Sequence, residues 1–150
     1  DNSTLNPQSK PRPRSGVGGL QRWPKKSMTT FEEIAPNFSD WPDAWCGVEE
    51  DIPYGVGLIE AMRPFIEDLI RRGLRKKTIR NHMGNLWLLG GEIIRSVSTD
   101  DDYKTPPDEN LRRSVDELGG ASCRHLTSEA QVKSYDATCR ELHKFLELKP

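Results

Sequence analysis

Basic side chains are concentrated in one short stretch in the middle of the chain, where they could bind phosphate groups. Six of them fall within ten residues, at Arg71, Arg72, Arg75, Lys76, Lys77 and Arg80. A long helix is predicted to begin inside this stretch, and the free backbone N–H groups of a helix N-terminus attract anions. Lysine and arginine side chains beside such a terminus would hold the phosphates of a nucleic acid.

Two asparagines extend this predicted site along one polar face of the helix. The amide groups of Asn81 and Asn85 would read the edge of a base. A second, weaker set of cations lies on the polar side of the last predicted helix, at Lys133, Arg140 and Lys144, where neighbouring acids dilute the charge. For the start of the long helix, from Arg75 to Asn81, a protein partner and a solvated face without a ligand stay open as alternatives.

The charges of the chain are segregated into blocks, although they nearly cancel. The sequence holds 22 Lys and Arg against 23 Asp and Glu, for a net charge of −1. Residues 1–30 carry six basic residues and one acid, residues 31–70 carry ten acids and one arginine, and residues 71–95 carry seven basic residues and one acid. Two of the blocks therefore favour an anionic partner.

The apolar pattern predicts the helices that position these side chains. A long helix after a stop at Gly73 is predicted by Ile79, Met83, Leu86, Gly90, Ile93 and Val97, which recur at helical spacing. Gly90 and Gly91 weaken this helix, so we expect a close neighbour or a kink there. A helix over 54–73 precedes it, with Leu58, Met62, Phe65 and Leu69 inward and Pro64 in its first turn or at a kink.

Two further helices complete the predicted bundle. One follows a loop over 98–110, turns Leu111, Val115 and Leu118 inward, and ends at Gly119. The last opens with Ser128 and Gln131 at the spacing of a capping box and has an inward stripe of Val132, Tyr135, Cys139, Leu142 and Leu146. Because no stretch alternates as a strand does, the predicted fold is all-α, a bundle of four to five helices.

The N-terminal part of the chain is predicted in two pieces. Residues 1–30 are rich in Pro, Gly, Ser and basic residues, which predicts a disordered, flexible basic arm, and the helical domain is predicted over 31–150. The segment 31–53 mixes aromatic residues with acids, which favours one or two short helices broken at Pro36 and Pro42. It is predicted to cover one side of the core, and a docking motif for a partner protein is the alternative.

The remaining composition narrows the class of protein. No run of about 18 apolar residues is present, so the sequence predicts no membrane-spanning segment. Three cysteines without framework spacing predict a reduced, cytoplasmic protein. No cofactor and no metal site is predicted, because Cys123, His125, Cys139 and His143 match no common zinc spacing.

The segment FIEDLIRRGLRKKTIRNHMGNLWLLGGEIIR combines a helix that ends in Arg-Gly-Leu, a basic residue, Lys-Thr-Ile and a long helix. Over residues 65–97 this pattern resembles the N-terminal core-binding domain of tyrosine recombinases, such as phage integrases. The resemblance implies a bundle of four or five helices, and it implies duplex DNA as the partner of Arg75, Lys76, Lys77, Arg80 and Asn81. Arg75 departs from the family, which usually has a Ser or Thr that caps the long helix.

The catalytic residues of that family are missing from the chain. Recombination requires a tyrosine nucleophile, two arginines, a lysine and usually a His-x-x-Arg element, whereas the three histidines here read HMGN, HLTS and HKFL. Tyr135 falls on the apolar side of a predicted helix. The sequence therefore predicts a non-catalytic DNA-binding module, which the resemblance associates with accessory proteins of mobile elements and DNA recombination. The alternative is an adaptor that binds a protein through the acidic aromatic segment 31–53.

Overall fold

The computed structural model describes residues 30–148, and within that range the chain folds as an all-α bundle with one small hairpin. The helices are α1 (Phe31–Ile34), α2 (Trp41–Trp45), α3 (Asp51–Arg71), α4 (Lys76–Asp100), α5 (Pro107–Arg113) and α6 (Glu129–Leu148), with a 3-10 helix, Phe38–Asp40, before α2. Two short strands, β1 (Val115–Asp116) and β2 (Gly119–Gly120), pair antiparallel. The all-α prediction is thus confirmed. The predicted basic arm, residues 1–30, lies outside the described residues apart from Thr30.

Helix α3 begins earlier than the predicted position 54 and carries its proline inside. The Asp51 carboxylate accepts the backbone N–H groups of Gly47 (2.8 Å) and Val48 (3.1 Å), and these bonds fix the turn that leads into the helix. Pro64 lies in the interior of α3 rather than in its first turn. The predicted inward stripe is confirmed, because Leu58, Met62, Phe65 and Leu69 are all fully buried.

Helix α4 packs against α3 through the stripe that the sequence predicted. The buried positions include Ile79, Met83, Leu86, Gly90, Ile93 and Val97. The indole of Trp45 lies on Gly90 and Gly91 so closely that a side chain at Gly90 would overlap the ring. The close neighbour expected at these glycines is therefore Trp45, whose Nε1 also donates to the Trp87 carbonyl at 3.0 Å. The helix runs on to Asp100, so it includes the first residues of the predicted loop over 98–110.

Helix α6 lies antiparallel to α4. This orientation follows from two contacts, since Asn85 of α4 reaches Ser134 whereas the earlier His82 reaches the later Thr138. The predicted stripe of α6 is buried except at Val132, which is 40% exposed. The start of the helix is capped much as predicted, because the hydroxyl of Ser128 accepts the N–H of Gln131 at 3.1 Å.

The chain after α5 departs from the prediction of a helix that continues to Gly119. Residues 115–120 form the hairpin instead, because Asp116 Oδ1 accepts the N–H groups of Leu118 (2.8 Å) and Gly119 (3.0 Å). A short acidic side chain that bonds the backbone two or three residues later stabilises a turn over a further helical turn. Leu118, predicted to point inward, is 79% exposed at the tip of this turn, whereas Val115 is buried as predicted.

The segment 31–53 covers one side of the core, as predicted. Ile34 and Phe38 are buried, and the rings of Phe31, Phe38, Trp41 and Trp45 contact one another in series with centroids 4.7–5.6 Å apart. The chain breaks between α1 and the 3-10 helix near Pro36, whereas Pro42 sits in the first turn of α2, where a proline is tolerated.

Candidate nucleic-acid interface

The start of α4 is open to solvent. Arg75 is its N-cap residue, with an extended backbone (φ −63°, ψ 147°) and no side-chain hydrogen bond to the helix. Gly73 adopts a positive φ of 74° in the turn from α3, a conformation that favours glycine. Because no side chain caps the helix, the N–H groups of its first turn are left for an incoming anion.

Four exposed cations surround this helix start, and we call them the basic cluster: Arg75, Lys76, Lys77 and Arg80. None of them forms an ion pair with any residue in the range 30–148. Lys76 comes near Glu33 of α1, because the pKa of Glu33 is lowered mainly by a hydrogen bond from the Thr30 backbone and then by this lysine. The basic cluster therefore concentrates positive charge at the open end of α4.

The two arginines at the end of α3 differ from the basic cluster, because both pair with Asp68. Arg71 forms an ion pair with Asp68 Oδ1, and Arg72 Nε lies 3.2 Å from Asp68 Oδ2. Both guanidinium groups are exposed, so these pairs add little stability. The Asp68 carboxylate nevertheless offsets part of the positive charge of both arginines. Arg72, a predicted phosphate ligand, therefore adds less net positive charge to the site than Arg75 does.

The two predicted base-reading asparagines lie in different surroundings. Asn81 is exposed, one turn after Lys77. Asn85 is half-buried, and its Nδ2 donates to the Ser134 carbonyl (3.1 Å), the Ser134 hydroxyl (3.1 Å) and Thr138 Oγ1 (2.8 Å). Since the Asn85 amide joins α4 to α6, only Asn81 is available to a ligand beside the basic cluster.

A buried polar contact that the sequence did not reveal completes the junction of α4 and α6. Thr138 is only 1% exposed, and its Oγ1 lies 2.8 Å from Nδ1 of His82. Burial lowers the pKa of His82, while Glu141 opposes this shift and Arg72 adds to it. His82 is therefore a neutral hydrogen-bonding group between helices at neutral pH, not a further cation of the basic cluster.

The three predicted cations of α6 do not gather into one patch. Lys144 Nζ lies 3.9 Å from Glu141 Oε2, and an Arg140 guanidinium N–H donates to the Leu118 carbonyl at 3.5 Å. Because α6 runs antiparallel to α4, Lys144 lies at the end of α6 nearer the basic cluster. Lys133 is exposed about 16 Å further along the helix. The basic cluster at α4 is therefore the stronger site.

A groove beside the outer face of α4 was missed by sequence reasoning. It has a volume of about 270 Å³ and lies between α4 and the segment 34–41, with Asn37, Trp41, Gly84 and Trp87 among its lining residues. Trp87 is 40% exposed. The groove forms between segments more than forty residues apart, so periodicity along the chain does not show it. The available signal was a glycine at position 84 inside a predicted helix, one turn after Arg80.

A second hollow, of about 360 Å³, lies on another side of Trp87, with Trp45, Glu92, Arg95 and His125 in its lining. Glu92 and Arg95 pair within it at 3.9 Å. Among the described residues, no group of three or more His, Cys, Asp or Glu side chains could hold a metal ion. In the same range, no helix is both long and apolar enough to cross a membrane.

Comparison with protein-family models, with curated proteins and with solved structures found no match for this chain. The resemblance to the core-binding domain of tyrosine recombinases stays a prediction based on residues 65–97. The geometry of α4 and its neighbours carries the functional inference.

Proposed function

We propose that this chain is a non-catalytic DNA-binding module that grips a duplex at the open start of α4. One observation carries the proposal: the four cations of the basic cluster are exposed, have no ion pair in the described range, and surround the N-terminus of a 25-residue helix. Phosphate oxygens would accept hydrogen bonds from these side chains and from first-turn N–H groups. Asn81 lies one turn further along the same surface, within reach of a base edge.

The protein would bind DNA mainly through phosphate contacts and would therefore bind many DNA sequences. Successive residues of a helix point about 100° apart, so about three or four of the cations at the helix start reach phosphates at once. Each such contact releases counterions from the DNA. The logarithm of the affinity should therefore fall against the logarithm of the salt concentration with a slope of roughly −3 to −4.

The acidic N-terminal block opposes DNA binding over part of the surface. Residues 31–70 hold ten acids and one arginine, and Glu33 lies near Lys76. Repulsion between exposed charges is screened beyond about 8 Å at physiological salt. The acids that oppose a duplex are therefore those close to the basic cluster, such as Glu33, and more distant acids of the block matter little.

The burial of Tyr135 supports a module without recombinase chemistry. Its side chain is 2% exposed, and its hydroxyl donates to the Ala121 carbonyl at 2.7 Å. Burial strongly raises the pKa of Tyr135, which makes the phenolate unavailable for attack on phosphorus. We therefore propose a DNA-gripping role like that of a recombinase core-binding domain, in an accessory protein of a mobile element, with the chemistry done elsewhere.

The adaptor alternative has less support, because the aromatic side chains that it would use are occupied in packing. Phe38 is 2% exposed and contacts the rings of both Phe31 and Trp41. Arg63 of α3 lies over the Phe31 ring at 4.4 Å and covers it further. A partner could reach this segment mainly through the groove.

A titration of a short duplex at several salt concentrations tests the proposal. The triple variant Lys76→Ala, Lys77→Ala, Arg80→Ala removes three cations of the basic cluster. It should bind more weakly than wild type at every salt concentration, and its salt slope should be shallower by roughly 3, about one per lost phosphate contact.

A matched control removes the same charge elsewhere. The triple variant Lys104→Ala, Arg113→Ala, Arg124→Ala deletes three exposed cations that lie outside the basic cluster. It should keep most of the wild-type affinity and slope. If wild type binds no duplex at low salt, or if the two triple variants bind alike, the DNA-binding proposal is wrong.

A further inference from the structure

No packing contact among the described residues requires a glycine at position 84 of α4. Gly84 lies inside the helix, where glycine is less stable than alanine. A Cβ built on Gly90 would overlap Trp45, whereas a Cβ built on Gly84 would have no described atom within 4 Å. Glycine is commonly used where a ligand must come close to the backbone. The open face of Gly84 is therefore a place where another molecule could come close to the backbone of α4.

The groove beside Gly84 has a largely aromatic and apolar lining that suits a flat ring. Its lining includes Trp41 and Trp87, together with Met83 and Phe38. Trp87 keeps 40% of its surface exposed although it is one of the largest apolar side chains of the chain. Aromatic walls of this kind stack on nucleobases irrespective of base identity, because every base has a π-face.

A cation one turn before the groove and an amide in its lining match the two ends of a nucleotide. Arg80, a member of the basic cluster, precedes Gly84 by one helical turn, about 6 Å along the axis, and would hold a phosphate. On the opposite side, Asn37 is exposed and its side chain does not cap the adjacent 3-10 helix. An asparagine amide pairs well with the edge of adenine.

We propose that the groove takes one unpaired base of a nucleic-acid strand while Arg80 holds a phosphate of the same strand. The base stacks against Trp87 over the open face of Gly84, and its edge faces Asn37. This inference rests on the proposed DNA binding and adds a preference to it: the protein recognises DNA in which a base is already unpaired. A matched duplex binds through the basic cluster alone.

Three duplexes of one sequence separate these contributions. The first is fully paired, the second carries one extra unpaired adenine, and the third carries an abasic nucleotide at that position. The abasic duplex has the same backbone distortion without the base. Wild type should bind the adenine-bulged duplex about tenfold more tightly than the abasic one, which is the order of a single base stacked on an aromatic side chain.

Variants at the groove test the same preference from the protein side. Gly84→Leu should fill the groove without harming the fold, since the built Cβ meets open space, and it should abolish the tenfold difference. Trp87→Ala should also abolish it, and Trp87→Phe should restore part of it. Both changes leave the Trp87 carbonyl that binds Trp45 in place. All variants should retain the wild-type affinity for the matched duplex and the wild-type helical circular dichroism.

The results distinguish this inference from the proposed function. Equal affinity for the bulged and abasic duplexes overturns the groove inference even when the matched duplex binds, and it leaves an apolar peptide side chain as the occupant of the groove. A preference that survives Gly84→Leu also overturns it. If wild type does not bind the matched duplex but still prefers the bulged duplex to the abasic one, only the proposed binding of paired DNA is overturned. No binding to any of the three DNAs overturns both.

Discussion

The two halves of α4 share one buried stripe and differ on their outer faces. The first half, residues 76–87, contains three Lys or Arg and no acid, whereas residues 88–100 contain one arginine and two acids. Gly84 in the first half is open to solvent, and Gly90 in the second half is closed by Trp45. The packing of Trp45 thus explains the glycine at position 90, whereas no contact within the described residues explains the glycine at position 84. This difference identifies Gly90 as a residue required for packing and Gly84 as a candidate residue for ligand binding.

The largest expected effect belongs to the core that both halves share. Leu86 is 0% exposed and lies between Gly84 and Gly90 along α4. Leu86→Ala should lower the free energy of unfolding by about 2–5 kcal/mol, because it removes apolar contacts and leaves a cavity. Urea denaturation followed by circular dichroism measures this loss. If Leu86→Ala lowers the free energy of unfolding by less than about 1 kcal/mol, the core around Leu86 is loosely packed and collapses into the space left by the side chain. The two halves of α4 would then not be held by one tightly packed core.

A smaller effect should distinguish the two glycines directly. Gly90→Ala places a methyl group against the ring of Trp45, and overpacking of this kind costs about 1–3 kcal/mol. Gly84→Ala places the same methyl group in open space, and it should stabilise the protein by about 0.5–1 kcal/mol, because alanine is the better helix former.

Each glycine variant is the control for the other, since both add one methyl group to α4. Opposite signs of the change in unfolding free energy are expected in the same denaturation experiment. Destabilisation by Gly84→Ala would show that a part of the protein packs on Gly84. In that case the glycine would have an internal role, and the groove would be closed in solution.

The long helices were predictable because their information is local and repeats. Met83 and Leu142 are buried as the helical period required, since one face of each helix must pack on the same core. The hairpin was missed because one side chain decides it: Asp116 accepts the backbone N–H groups of Leu118 and Gly119 and thereby ends a pattern that could have continued as a helix. Apolar periodicity shows which face of a helix is buried. It does not show where a side-chain hydrogen bond to the backbone ends the helix and forms a turn.

The candidate site was only half predictable for a similar reason. The basic cluster spans only six residues of the sequence. Lys77 and Arg80 point away from the buried stripe, and Arg75 and Lys76 are exposed because they stand at the start of the helix. The role of Asn85 depends on which residues of α6 face it, and Ser134 is nearly fifty residues away. The groove at Gly84 likewise needs the segment around Trp41 to fold back on α4. Contacts between distant segments leave no spacing that one sequence reveals.

The smallest expected effect is a pH dependence in the first half of α4. His82 is half-buried against Phe65 of α3 and Thr138 of α6, and Glu141 and Arg72 are the charged groups that act on it. Burial holds the pKa of His82 below its ordinary value of 6.5 in the folded protein. The unfolded chain therefore binds a proton at a pH at which the folded protein does not.

The sign of the effect follows from this difference in proton binding. The contribution of neutral His82 to stability is fully present above about pH 6.5, and it is lost as the pH falls through the folded-state pKa. Unfolding free energies measured from about pH 7.5 down to about pH 5 should decrease for wild type, and His82→Gln, which keeps a donor for Thr138, should flatten the decrease. His125→Gln, a change at an exposed histidine of the loop before α6, is the control. Parallel pH profiles for the two variants would assign the loss to other groups, and the junction of α4 with α6 would then be insensitive to protonation.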